Sequence, residues 1–139
     1  MGNSVDTDFK SFIEKQRVSY KNIGKVFCPI LNEDVVFNAK GFYHLRYNGL
    51  GKERSAREQI SRISLVGYSV SGVMSATRVS EYRERLKQGK IIKYWALESL
   101  ISNNSKIVTV LRREGNGSLT FYSNWKEKIK KPSEVESIL

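Results

Sequence analysis

Apolar residues change their spacing near residue 91, from intervals of three and four to alternation, which divides a helical half of the chain from a strand half. In the first half, Phe9, Phe12 and Ile13 recur at helical spacing after Asp6 and Thr7, either of which can cap a first turn. The pattern predicts a short amphipathic helix to about Tyr20, an N-terminal brace. Lys25 to Ile30 and Val35 to Phe37 are β-prone runs, and Leu31-Asn32-Glu33-Asp34 between them predicts a hairpin. Pro29 cannot donate to a strand ladder, so the hairpin belongs at a sheet edge. Asn38 can cap a second helix, in which Phe42 and Leu45 share one face while Tyr43, His44 and Tyr47 line its flank, putting His44 beside the core. Asn48 to Arg54 reads as a glycine-bearing basic loop.

Ser55 with Glu58 three residues on is a capping box, and it opens the clearest helix in the chain. Its buried stripe is Ile60, Ile63, Val66 and Val70, with Arg57 and Arg62 out of phase and projecting outward. Beyond Gly72 the pattern weakens, and the mixed charges of Arg78 to Gln88 suggest a surface stretch that could be helical. From Ile91 on, three β-rich runs follow: Ile91 to Ile101, Lys106 to Arg113 and Ser118 to Ser123. Asn103-Asn104 and Gly115-Asn116-Gly117 are tight turns between them, so an antiparallel meander is expected. Trp95 and Trp125 read as core residues. Pro132 lies in a polar C-terminal extension expected to be a short helix or frayed. The whole reads as one α+β domain over 1–139, with a core of about 35–125, an N-terminal brace 1–34 and an extension 126–139.

Composition agrees with a single domain: a folded chain of 139 residues buries roughly two thirds of the surface exposed by its unfolded form. Charge is more informative. The formal net charge is +10, and residues 40 to 93 alone carry twelve basic and four acidic side chains. Such a local excess repels itself unless an anionic partner neutralises it and releases counterions, so nucleic acid is the expected partner, RNA ahead of DNA. Cys28 is the only cysteine, which excludes an internal disulfide and fits a reducing compartment. No signal-like start and no run near the roughly 18 apolar residues of a membrane span is present, so a cytoplasmic protein with no membrane partner is expected.

One histidine and one cysteine cannot make an ordinary zinc site, no acidic pair is placed to hold two magnesium ions, and Gly49-Leu50-Gly51-Lys52 lacks the spacing of a phosphate-cradling loop. No cofactor and no metal is therefore expected. What remains is Lys40, His44, Arg46, Lys52, Arg54, Arg57 and Arg62 within 23 residues, interleaved with Tyr43 and Tyr47. These groups move protons and stabilise phosphate charge. RNA can be cut by its own 2′-hydroxyl, given a proton acceptor, a proton donor and cations at the phosphorane. His can serve either proton role, and Arg offers bidentate donors to phosphate. Tyr43, Tyr47 or Tyr94 could stack on an unpaired base. The plainer alternatives are a structural histidine and solvated arginines.

The run Phe37-Asn38-Ala39-Lys40-Gly41-Phe42-Tyr43-His44-Leu45-Arg46, with Arg54, Arg57-Glu58-Gln59-Ile60 and Arg62, then Lys93-Tyr94-Trp95 and Phe121-Tyr122-Ser123, resembles the barnase, EndoU, colicin and RelE (BECR-fold) superfamily of ribonucleases, especially its small phage and mobile-element members. The likeness covers about residues 35 to 125. It implies helices followed by a four-stranded antiparallel sheet meander and metal-independent RNA cleavage at a site on the sheet and the helix ends. On that likeness His44 is the helix histidine, Arg46, Arg54, Arg57 and Arg62 are the basic set, and Ser123 is the polar residue of the last strand. No second histidine and no evident glutamate base is present, so Lys40 or a tyrosine would take the second proton-transfer role.

The expected function is thus a metal-independent endoribonuclease acting through the 2′-hydroxyl, with a toxin-like role left open. His44, Arg46, Arg54 and Ser123 are its expected catalytic residues; Lys40, Tyr43, Tyr47, Lys52, Arg57, Arg62 and Tyr94 are expected to bind RNA. A toxin-like enzyme would also need an acidic inhibitor or immunity protein. The alternatives are a non-catalytic nucleic-acid-binding module using the same basic face and a protein-interaction domain for an acidic partner.

Overall fold

The computed structural model describes residues 4–129. Helix α1 spans Ser4–Lys21, strands β1 and β2 span Lys25–Cys28 and Glu33–Val36, and helices α2, α3 and α4 span Ala39–Arg46, Ala56–Ser64 and Val66–Ser75. Four strands follow: β3 (Glu81–Lys87), β4 (Lys90–Ser102), β5 (Ser105–Glu114) and β6 (Thr120–Lys128). The fold is a mixed α+β one. Its sheet has six strands in the order β1-β2-β6-β5-β4-β3, rather than forming a separate four-stranded meander. The β1–β2 hairpin joins by a parallel step, Val36 opposite Thr120. Hairpin and meander thereby become one sheet, with β1 and its following Pro29 at an edge.

The other edge is β3, in the stretch that sequence read as a possible helix. Its residues are all exposed, with Glu81, Arg83, Arg85 and Lys87 on one face and Glu84 between Tyr82 and Leu86 on the other. Edge strands use such charge to block further pairing. Gln88 and Gly89, at φ 50° and 77°, make the tight turn into β4, the two positive φ values that a type I′ hairpin requires.

Asn38 caps α2, its side chain accepting from Gly41 N–H at 3.1 Å. Gly41 is needed there because a Cβ would stand 2.7 Å from the Phe121 carbonyl oxygen and overlap the Tyr20 hydroxyl. That close approach seats α2 on β6, and the Tyr20 hydroxyl donates to the Asn38 carbonyl at 2.7 Å. Phe37 stacks on Phe121 at 4.9 Å, with Tyr20 and Phe42 completing an aromatic core.

Ser55 accepts from Glu58 N–H at 3.1 Å, but the Glu58 carboxylate turns to Arg54 and Arg62 instead of closing the box. The stripe also differs. Leu65 N–H bonds to the Arg62 carbonyl, a tightened turn that separates α3 from α4. Ile63 and Val66 are buried and Val70 partly so, while Ile60 is 42% exposed and Gln59 takes its place inside at 1%. Burial suits Gln59 because its amide is satisfied: it donates to the Arg54 carbonyl at 2.7 Å and accepts from Arg46 at 3.0 Å. The expected extension 130–139, with Pro132, lies outside the described residues. Among the described residues no helix is long and apolar enough to cross a membrane.

Candidate functional site

Strand register decides what each sheet face carries. Leu97, Thr109 and Asn124 are neighbours across β4, β5 and β6 and face α4, where Thr109 and Asn124 both donate to the Ser69 hydroxyl at 3.1 and 3.0 Å. Ala96, Val110 and Ser123 are the adjacent, opposite-facing set. They line a cleft of about 610 Å³ whose walls include His44, Arg54, Arg62, Tyr94, Tyr122 and Trp125, with Glu81, Arg83 and Arg85 on its β3 side.

A bulge in β6 shapes this cleft. Val110 pairs with Ser123 and Leu111 with Phe121, which leaves Tyr122 as the extra residue. Phe121 therefore enters the core while Tyr122 and Ser123, though consecutive, both reach the cleft. Strict alternation would have sent one of them to the other side. Tyr122 meets His44 at 4.3 Å between ring centroids and Tyr94 at 5.5 Å edge-on. Arg112 lies 5.8 Å from the Tyr122 ring and 5.9 Å from the Tyr94 ring, and its buried Nε makes no hydrogen bond.

Burial lowers the His44 pKa, and Arg112, Arg54 and Lys40 lower it further, so the imidazole is neutral at neutral pH. Burial raises the Tyr122 pKa, as does Tyr94, with Arg112, Arg85 and Arg54 acting in the opposite direction. The phenol keeps its proton. His44 and Tyr122 thus form a proton acceptor and a proton donor side by side.

Of the basic residues, the structure brings Arg54 and Arg62 to the cleft. Arg62 donates to the Ser123 hydroxyl at 3.2 Å and the Asn124 carbonyl at 2.8 Å, and so points inward rather than outward as its helical phase suggested. Arg54 donates to the His44 carbonyl at 3.2 Å. Glu58 joins the two arginines, at 2.6 Å from Arg54 and 3.0 Å from Arg62. Burial alone would raise the pKa of that carboxyl, but both guanidiniums hold it below its ordinary value, so Glu58 positions cations and is no base.

Arg46 is placed elsewhere. It bonds to Gln59, pairs with Glu53 at 3.9 Å and lies 5.5 Å from the Tyr47 ring, away from the cleft walls. Tyr43 stacks on Tyr47 at 4.5 Å beside the Asn48–Lys52 loop, not on the cleft floor. Lys40, Lys52 and Arg57 are exposed, and Lys40 is tied to the site through its charge at His44. Tyr94 and Ser123 line the cleft as expected residues, whereas Arg112, Tyr122, Arg83, Arg85 and Trp125 are additions that sequence reading did not assign to a site. Alternation places Val110 and Arg112 on one face of β5, but which face stays open is not written in that strand.

Among the described residues no three His, Cys, Asp or Glu side chains gather where they could hold a metal ion. Comparison with protein-family profiles, curated proteins and solved structures finds no match to this chain.

Proposed function

We propose that the cleft binds RNA and cuts it without a metal, by attack of a 2′-hydroxyl on the adjacent phosphate. The observation that carries this reading is the packing of His44 on Tyr122, 4.3 Å between ring centroids, in a cleft lined by Arg54 and Arg62 with Arg112 beside the Tyr122 ring. His44 takes the 2′-hydroxyl proton as the oxygen bonds to phosphorus. Tyr122 gives its proton to the departing 5′-oxygen as that bond to phosphorus breaks. The products are a 2′,3′-cyclic phosphate and a 5′-hydroxyl end. Arg54 and Arg112 stabilise the charge on the phosphorane, a role for preorganised donors in a partly desolvated site. Arg62 fixes Ser123 and the bulge, while Arg83 and Arg85 attract flanking phosphates.

This assignment gives the second proton-transfer role to Tyr122 rather than to exposed Lys40. A free thiol at Cys28 and an RNA substrate fit a cytoplasmic protein, and an acidic inhibitor would meet the same arginines. Glu58, which occupies both Arg54 and Arg62, favours a second reading: a non-catalytic RNA-binding module whose cations are already partly neutralised. Incubation with total RNA and tRNA in EDTA, followed by analysis of product ends, separates the two. New cyclic-phosphate ends support the enzyme, and intact RNA that is nonetheless bound tightly leaves the binding module.

A further inference from the structure

The cleft floor is graded in side-chain size. Across the sheet, the Ala96–Val110–Ser123 row is flanked on one side by the register row Arg83–Tyr94–Arg112, with bulged Tyr122 beside it. On the other side stands Val108–Trp125, with Glu98 opposite Val108. A trough of small side chains therefore runs between two aromatic walls. The flanking rows stand four residues apart along β4 and β5, about 13 Å at the usual rise per residue, while bulged Tyr122 stands three residues from Trp125 along β6.

Both walls are held in place. Trp125 Nε1 donates to Glu127 at 2.7 Å, and Lys106 ties Glu98 at 2.7 Å and Glu127 at 3.9 Å behind it. Arg112 lies against both tyrosines of the opposite wall. Arg62 closes one end of the trough through Ser123, and the Glu81–Arg83 pair stands at the other. Arg62 buries Ser123 at one end of this floor, while Ala96 and Val110 stay partly exposed between the fixed aromatic walls.

We propose that this trough is a nucleobase slot in which an unpaired base lies against Trp125 or the Tyr94–Tyr122 wall, so that the substrate class is single-stranded RNA. The proposal rests on the RNA reading of the same cleft and adds Trp125 as a binding residue. Phosphates complement the arginines on both rims, Arg54 and Arg62 on one and Arg83 and Arg85 on the other. A base in an A-form duplex is already stacked and paired, and cannot enter. Because the slot is already formed, little ordering opposes binding.

The two tryptophans make the test direct. Trp95 faces the opposite side of the sheet, packed on the core beside Arg113, so Trp95→Phe leaves Trp125 as the single indole reporter in the slot. The probe is a labelled 2′-O-methyl oligoribonucleotide, offered single-stranded or fully paired, with tryptophan emission and label anisotropy followed together. The single strand should quench Trp125 to saturation in Trp95→Phe and leave the emission of Trp125→Phe unchanged. Trp125→Leu should weaken binding on the order of ten- to a hundredfold, and duplex should compete poorly. Single-strand binding with silent Trp125, or duplex bound as well as single strand, overturns the slot. Quenching without RNA cleavage keeps the slot and removes the enzyme; cleavage with a silent Trp125 does the reverse; no binding at low salt removes both.

Discussion

Removing Arg62 should destabilise the protein far more than removing its neighbour Arg57 on the same helix. The Arg62 side chain is 19% exposed and donates to the Ser123 hydroxyl, the Asn124 carbonyl and Glu58. A hydrogen bond from a charged donor is worth about 1.5–3 kcal/mol. Two of these bonds tie α3 to β6, so about 3–6 kcal/mol is at stake, less what water recovers at the vacated site. Glu58 keeps Arg54, so no carboxylate is orphaned, and a net loss of about 3 kcal/mol is the central value. At about 2.1 cal/mol/K per residue that lowers the melting temperature by about 10 °C. Arg57 is exposed, and Arg57→Ala should stay within about 0.5 kcal/mol of wild type. Thermal unfolding followed by circular dichroism compares the two variants. If Arg62→Ala melts within about 3 °C of Arg57→Ala, Arg62 does not anchor the bulged strand.

Three further outcomes follow from the site. His44→Ala should lower the cleavage rate by about a hundredfold or more while leaving RNA affinity nearly unchanged, read from single-turnover kinetics and equilibrium binding. Arg46→Ala should spare cleavage to within tenfold and lower stability by about 1–2 kcal/mol, since its bonds are to Gln59 and Glu53 and not in the cleft. Because the folded state lowers the His44 pKa, the unfolded chain takes up that proton first. The His44 contribution to stability is complete above about pH 6.5 and is lost as pH falls from there toward the lower folded value. Urea midpoints of wild type and His44→Gln at pH 8 and pH 5.5 should therefore differ in their pH dependence, wild type losing more.

Local chemistry was legible wherever one side chain decides the outcome. Asn38 and Ser55 cap their helices, Pro29 marks the edge hairpin, and alternation after residue 91 announces β4 to β6. Strand β3 was hidden because an edge strand with both faces exposed carries charge where a buried strand carries apolar residues. The site was legible at His44, Arg54, Tyr94 and Ser123, which sequence placed near phosphate chemistry and the fold gathers at one cleft. Arg62 was read outward because helical phase says nothing of the strand waiting beside α3. Tyr122 depended on a bulge, and Trp125 on which sheet face α4 covers. That choice is made by Ser69 and by Gly72, where a Cβ would come within 2.9 Å of the Ser99 hydroxyl oxygen. These are tertiary facts that no local pattern records.

The most direct measurement uses a DNA oligonucleotide carrying a single ribonucleotide, incubated with the protein in EDTA, with products resolved and their ends identified by mass. Cleavage only on the 3′ side of that ribonucleotide, leaving a 2′,3′-cyclic phosphate and disappearing in His44→Ala, is the expected result. Cutting at deoxynucleotides, equal cutting by His44→Ala, or no cutting of this substrate and of any RNA would contradict a 2′-hydroxyl mechanism centred on His44.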